Sequence, residues 1–423
     1  MNLNKILSEE IKRIELGEEE WACLEKEAEN FVEILEKEIA RQKIEAEIFI
    51  GGSFAKKTLV KKEFHDIDIF VRFDWKFDNI SDILERIVKK IKGFKIQKVH
   101  GSRDYYKVES KNIIFEIVPV YKIKKPSEAR NVTDLSYFHV GYVRKKLRGG
   151  MAKEVLLAKQ FCQAQVLYGA ESYIQGFSGY ALECLIIHYK SFLKMIGALS
   201  KAKDRVVTDP EKHYKKTRDV LFALNESRLQ SPIVLVDPTW KERNVLAALN
   251  RESFRKFQET AKRFLKKPSR EFFKEHKINV ENLKKLAQKK KGEFVHLQIE
   301  TDRQEGDIAG TKMKKFAGFL ERELGHYFEV IEKEFEYSGR EKANLYLIVK
   351  AKKEILLLGP PINMEEHTQA FRKKHKEVFE EKGYLFAKEK INFSAKQFLG
   401  EYKRERAKKI REMKIISLEI FSD

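Results

Sequence analysis

A run from Ala46 to Phe54 reads as a short strand ending in a double glycine, Gly51-Gly52, and beyond Ser53 and twelve intervening residues the segment Asp66–Phe73 alternates polar with apolar at a period of two. That period fits a half-buried strand and no helix, because successive strand side chains point to opposite faces. Asp66 and Asp68 must then share one face, with Cα atoms about 6.6 Å apart. A further run, Ile113–Tyr121, is apolar except for Glu116. A carboxylate buried in such a run without a partner is expensive, so Glu116 is expected on a neighbouring strand as a third acid beside the two aspartates, its burial explained by a metal ion.

Paired carboxylates on one strand face can grip divalent metal ions from one side. Magnesium takes oxygen ligands and keeps substrate phosphates in its shell, and two such ions about 3.5–4 Å apart stabilise both oxygens of a phosphoryl transfer. Gly51 and Gly52 let backbone amides approach a phosphate, Ser53 adds a hydroxyl, and Phe54–Leu59 is expected to open a helix beside it. Lys56 and Lys57 add positive charge. Asp-x-Asp alone is common on strand edges, and Gly-Gly-Ser alone is usually a turn. Strand, Gly-Gly-Ser, Asp-x-Asp on the next strand and an isolated acid on a later one together point to nucleotidyl transfer.

The rest of the pattern sets an α+β, multidomain organisation. Residues 1–140 are expected to form a head with a mixed sheet and helices: two helical segments before residue 45, a helix over Ser81–Lys92, and strands at Lys95–Val99 and Tyr105–Val108. Residues 141–266 read as a mainly α-helical central domain, with helices over Val155–Val166 and Tyr180–Met195, a short strand Ile233–Val236 and another helix from Arg243-Asn244. Residues 267–423 read as an α/β body, with Phe294–Glu300, Met313–Phe328, Val330–Tyr337 and Asn344–Lys350 in the order β-α-β-β of a ferredoxin-like or RNA-recognition-type sheet. Basic helices are expected over Glu365–Glu381 and Ser394–Met413.

In 423 residues, 85 Lys and Arg against 65 Asp and Glu give a formal charge of +20, which favours a polyanion such as nucleic acid. Lys289-Lys290-Lys291, Arg372-Lys373-Lys374 and the stretch Lys403 to Arg411 are the basic runs expected to follow its phosphates. Cys23, Cys162 and Cys184 are dispersed and form no CxxC pair, which fits a reducing compartment without structural zinc. No window approaches the ~18 apolar residues of a membrane helix, and Met1–Glu10 lacks the core of a signal peptide; a cytoplasmic protein without a membrane partner is the expectation.

Gly52-Ser53 followed by Asp66-Ile67-Asp68 resembles the signature of polymerase-beta-type nucleotidyltransferases. With Val118-Pro119-Val120-Tyr121-Lys122, Tyr168-Gly169-Ala170-Glu171, Gly176-Phe177-Ser178-Gly179-Tyr180, Asp237-Pro238 and Arg243-Asn244, and more weakly Gly359-Pro360-Pro361, the chain resembles archaeal (class I) CCA-adding enzymes over nearly its whole length. The resemblance implies template-independent addition of C, C and A to tRNA from CTP and ATP, with two Mg2+ ions, and a C-terminal body and tail that bind the tRNA acceptor arm and 3′ end; it leaves room for a homodimer. It also implies that Asp66, Asp68 and Glu116 bind metal, that Gly52, Ser53 and Lys56 meet the triphosphate, that Ser136, His139, Lys159 and Tyr168 surround the nucleotide, and that Arg243 meets the base. The chain departs from the family pattern at Glu116, where Asp is usual, at Ser136, where Thr is usual, and at Lys56, where Arg occurs.

Structural roles compete for several of these positions. Lys159 could be the solvated edge of an amphipathic helix, His139 a packed neighbour of Phe138, Tyr168 a helix-end contact, and Arg243 a partner of Glu242 or a nearby acid. Ser178 fits an N-cap better than a hydrolase nucleophile, and the ten histidines include no HExxH or His-x-x-x-His pair. The competing functions are a poly(A) polymerase or oligoadenylate synthetase of the same superfamily, and a non-catalytic RNA-binding protein on the same scaffold.

Overall fold

The protein is described as a computed structural model covering residues 3–275 and 278–421, and it divides into two compact units, 1–276 and 277–423. The first unit begins with helices α1 (Leu3–Ile14) and α2 (Glu18–Arg41), followed by strand β1 (Ala46–Ile50), the four-residue helix α3 (Gly52–Ala55), strand β2 (His65–Phe73) and helix α4 (Ile80–Val88). Strands β3 (Lys95–Val99), β4 (Tyr105–Ser110) and β5 (Ile113–Tyr121) complete a five-stranded sheet of order β1-β2-β5-β4-β3. β2 and β5 run parallel, and the other neighbours are antiparallel. A parallel pair needs a crossover, which α4 with the β3–β4 hairpin supplies.

The alternation of β2 decides which face is core. Ile67, Ile69, Val71 and Phe73 are buried against the apolar stripes of α2 and α4, and Phe31 of α2 stacks on Phe115 of β5 with ring centroids 4.2 Å apart. The opposite face of β2 therefore presents Asp66, Asp68, Phe70 and Arg72 away from that core, and the same face of β5 presents Glu116, Val118 and Val120.

A second core, in the same unit, is built from α1, α5 (Ser136–Lys146), α6 (Met151–Ala164), α7 (Gly179–Tyr189), α8 (Phe192–Ser200) and the helix Arg251–Lys266. Phe161, Phe192, Phe257, Phe264 and Phe273 fill its centre edge to face. The single helix expected over Tyr180–Met195 is two: the chain turns through Lys190, at φ +70°, and Ser191 caps the second helix by accepting the Lys194 N–H at 3.3 Å. Ser178 caps α7 as expected, accepting from Ala181 N–H at 3.2 Å. β6 (Val206–Thr208) and β7 (Ile233–Leu235) form a small parallel pair. No helix starts at Arg243-Asn244; both lie in a closed turn, and the helix begins at Arg251 after the N-cap Asn250.

In the second unit β8 (Glu293–Glu300), the helix Asp307–Gly325, β9 (Phe328–Tyr337) and β10 (Lys342–Ala351) give the expected β-α-β-β order. After β11 (Ile355–Pro361), β12 (Glu377–Glu381) and β13 (Tyr384–Glu389), the chain returns as β14 (Ser417–Phe421) to make a four-stranded sheet of order β14-β8-β10-β9. The helix expected over Glu365–Glu381 stops at Lys374, because Glu377–Glu381 pairs with β13 in the separate sheet β11-β13-β12. Ser394–Met413 is likewise two helices, Ala395–Glu405 and Ala407–Glu412.

Candidate active site

The register of β2 on β5 sets Asp68 directly beside Glu116, and Asp66 lies two residues back on the same face. Gly51 closes the end of the β1–β2 ladder, donating its N–H to the Asp68 carbonyl at 2.8 Å. Gly52 follows at φ +59°, and a Cβ built there would stand 1.6 Å from Asp68 Oδ2. Only glycine lets the Gly51-Gly52-Ser53 backbone lie against the carboxylate. The helix expected over Phe54–Leu59 is the single turn α3, so the turn itself brings Ser53 to the site.

The charge here is unbalanced. Burial pushes the Asp68 carboxyl up to about 7, with Glu116 and Asp66 adding to the rise while Lys56 and Lys159 oppose it. Glu116 is not unpartnered, as the sequence suggested: Lys107, opposite it on β4, holds its Oε1 at 2.9 Å. Burial works against the Lys107 ammonium, yet Glu116 raises its pKa overall. Tyr105, on the same β4 face, has its phenol pushed up to about 12 by burial and then by Glu116. Among the described residues no three His, Cys, Asp or Glu side chains converge on one point. The oxygen donors Asp66, Asp68 and Glu116 nevertheless suit a magnesium-type ion: their mutual repulsion is the charge a divalent cation relieves, and the glycine turn lies directly against Asp68.

Beneath this face lies a buried charge network. Lys56 Nζ meets Glu183 Oε2 at 2.5 Å, and Lys159 Nζ meets Glu183 Oε1 at 2.9 Å. Lys159 also donates to the Thr58 carbonyl (3.0 Å) and hydroxyl (2.9 Å), and the Thr58 hydroxyl donates to Glu183 Oε1 at 2.7 Å. Lys159 is 2 % exposed, which rules out the solvated helix edge. Burial would raise the Glu183 carboxyl, but Lys159 and Lys56 hold it down at about 2. Tyr168 stands at this network: a Cβ on Gly179 would meet its hydroxyl at 2.7 Å and Lys159 Cε at 3.6 Å. Burial, then Glu183, pushes the Tyr168 phenol well up. Lys57 does not join, being paired with Glu25 and lying over the Trp21 ring.

A second hub gathers His139 and Arg243. Asp237, fully buried, accepts from Arg243 Nη1 at 2.7 Å and from His139 Nε2 at 3.2 Å, and the His139 ring stacks on Tyr180 at 3.9 Å. Arg243 thus pairs with an acid six residues back rather than with Glu242. Burial lowers the His139 pKa even though Asp237 opposes it. Ser136, at the start of α5, joins neither hub and lines a pocket with Phe70, Arg72, Val120 and Tyr137.

Sequence reasoning missed Lys107, Thr58, Glu183 and the role of Asp237. Glu183 carried a readable signal, since it is the one acid in the apolar run of α7, as Glu116 is in β5.

The family described as "tRNA nucleotidyltransferase, second domain" matches residues 153–274, and the one described as "Second Messenger Oligonucleotide or Dinucleotide Synthetase domain" matches residues 1–135, the part that carries the three carboxylates. Among solved structures, the Cid1 poly (U) polymerase has a similar fold, with a TM-score of 0.51, 14% identity, and coverage of 64% of this chain and 98% of that one. The chain is 41% identical over 210 residues to the CCA-adding enzyme of Nanoarchaeum equitans, a match spanning 49% of this chain and about half, 52%, of that relative. It is 29% identical over 405 residues to the CCA-adding enzyme of Methanocaldococcus jannaschii, covering 92% of this chain and 87% of the relative. With the Saccharolobus islandicus CCA-adding enzyme it shares 32% of 334 residues, 77% of this chain and 74% of the relative, and on that extent of likeness the chain belongs to the archaeal (class I) CCA-adding enzyme family.

Proposed function

We propose that this protein extends the 3′ end of tRNA by C, C and A, using CTP and ATP and releasing pyrophosphate. The observation that carries the reading is the Asp68–Glu116 register with Gly52 packed on Asp68, which puts an acidic face beside a glycine turn on the sheet of a chain of this family. The terminal hydroxyl of the RNA attacks the α-phosphorus of the bound nucleotide; the new O3′–P bond forms as the bond from that phosphorus to pyrophosphate breaks. Asp66, Asp68 and Glu116 are the residues that would hold divalent metal, two magnesium ions in this reading, whose Lewis acidity steadies the attacking and leaving oxygens.

The chain's own groups do the rest. The Gly51-Gly52-Ser53 turn offers backbone and hydroxyl donors to the triphosphate. Lys56 and Lys159, both reaching Asp68 electrostatically, supply the positive potential into which pyrophosphate leaves. Tyr168 stands beside Lys159, Ser136 and His139 border the nucleotide, and Arg243 donates to the base edge. In this reading residues 1–140 perform the chemistry, 141–266 hold the base, and 267–423 hold the acceptor arm, in a cytoplasmic protein.

The test is pyrophosphate release from CTP in magnesium. Release should require a tRNA lacking its CCA end, stop after two turnovers per tRNA, and vanish in Asp68→Ala. Equal release on an arbitrary RNA, or release that survives Asp68→Ala, contradicts the reading.

A further inference from the structure

The segment from Asp237 to Asn244 is closed at every level. Asp237 N–H donates to the Arg243 carbonyl at 2.9 Å, Trp240 N–H to the Asp237 carbonyl at 3.2 Å, and Arg243 N–H to the Trp240 carbonyl at 3.0 Å. Asn244 Oδ1 accepts the Leu235 and Leu246 N–H groups, both at 2.9 Å, which ties the turn to β7. Inside it the Asp237 carboxylate is saturated. Oδ2 receives Arg243 Nη1 (2.7 Å) and His139 Nε2 (3.2 Å), while Oδ1 receives Tyr180 Oη (3.0 Å) and the Thr239 N–H and hydroxyl (both 2.8 Å). Because a carboxylate only accepts, the His139 contact fixes the Nε2–H tautomer. Burial would raise the Asp237 carboxyl, but His139, Arg243 and the Thr239 N–H hold it well below the usual range, so the anchor is an anion.

Arg243 is gripped at Nη1 and stays one-fifth exposed, 20 %, so its other guanidinium donors remain for a further partner. We propose that Asp237 is the positioning residue that sets nucleotide choice, holding Arg243 and His139 at one fixed angle to the edge of the incoming base. The inference rests on the reading that the chain takes CTP and ATP. Cytosine N3 and adenine N1 are bare acceptors, whereas uracil N3 and guanine N1 carry hydrogen. A donor that cannot move donates to the acceptor of the first pair and meets an N–H head-on in the second. An arginine free to swing would instead find the carbonyl oxygens of uracil or guanine, so discrimination depends on the anchor and not on the guanidinium alone.

The experiment measures kcat/KM of the full chain for CTP against UTP on tRNA lacking CCA, and for ATP against GTP on tRNA ending in CC. It compares wild type, Asp237→Asn, and the pair Tyr180→Phe with Thr239→Val, which removes two of the three donors to Oδ1, keeping only the backbone N–H of residue 239, and leaves both charges in place. Asp237→Asn should lower both ratios at least about tenfold, chiefly through a higher KM for the correct nucleotide and gained use of the wrong one. The double variant should shift them less, in the same direction. A merely structural role would slow all four nucleotides alike, and unchanged ratios overturn the proposal. Should Asp237→Asn fail to fold, unchanged ratios in the double variant overturn it equally. A wild-type enzyme with no preference for CTP and ATP removes the reading beneath the proposal and overturns both; wild-type preference with unresponsive variants overturns the positioning role alone.

Discussion

Gly52 is where backbone and chemistry meet most closely. Gly52→Ala would drive a methyl into Asp68 Oδ2 and force a left-handed φ on alanine, so the turn must move off the carboxylate. Activity on tRNA should fall by two orders of magnitude or more, while stability falls by only about 1–2 kcal/mol, as urea denaturation would show. Asp68→Ala should cost at least ~10³ in kcat with the fold intact. The three acids were legible in the sequence because strand alternation gives their face directly, and their strands pair in register. The hubs were not: Lys56 and Glu183 are 127 residues apart, and His139 and Asp237 are 98 apart, so only the folded chain brings them together. The sequence offered Arg243 a neighbouring acid; the acid it found is the one whose backbone closes the same turn.

At the scale of elements, Glu183 ties the loop after β1 to helices α6 and α7 through Lys56, Thr58 and Lys159. Removing its charge leaves two largely buried ammonium groups without their carboxylate. Glu183→Gln should therefore destabilise the first unit by about 3–5 kcal/mol, measured as a lower urea midpoint, and Lys159→Met added to it should restore part of the loss. The pH dependence has a definite sign. Glu183 is held at about 2 in the folded chain, against about 4.3 when unfolded, so its contribution is complete above the unfolded value and fades as the pH falls towards 2. The stability gap between wild type and Glu183→Gln should narrow over that interval; a constant gap would show that the pairing does not hold the carboxyl down. Elements were readable where periodicity ran unbroken, as in α2 and β2. They were misjudged where one backbone angle changes the outcome, as at Lys190, or where a polar run pairs as an edge strand, as in β12.

For the whole molecule, the formal charge of +20 predicts that tRNA binding depends steeply on salt. KM for tRNA should rise with a log–log slope near the number of phosphates neutralised, and KM for CTP should change less; equal slopes would place the basic excess outside the RNA contact. Among the described residues no helix is long and apolar enough to cross a membrane. The central claim is that one acidic face, set by β2 and β5, builds CCA on a tRNA end. It is tested most directly by resolving, nucleotide by nucleotide, the products made on tRNA lacking CCA with labelled CTP alone, ATP alone and both together. The account predicts two C residues from CTP alone, nothing from ATP alone, a single A after both C residues when both are present, and none of these in Asp68→Ala. Open-ended ATP addition without CTP, or any extension by Asp68→Ala, would contradict it.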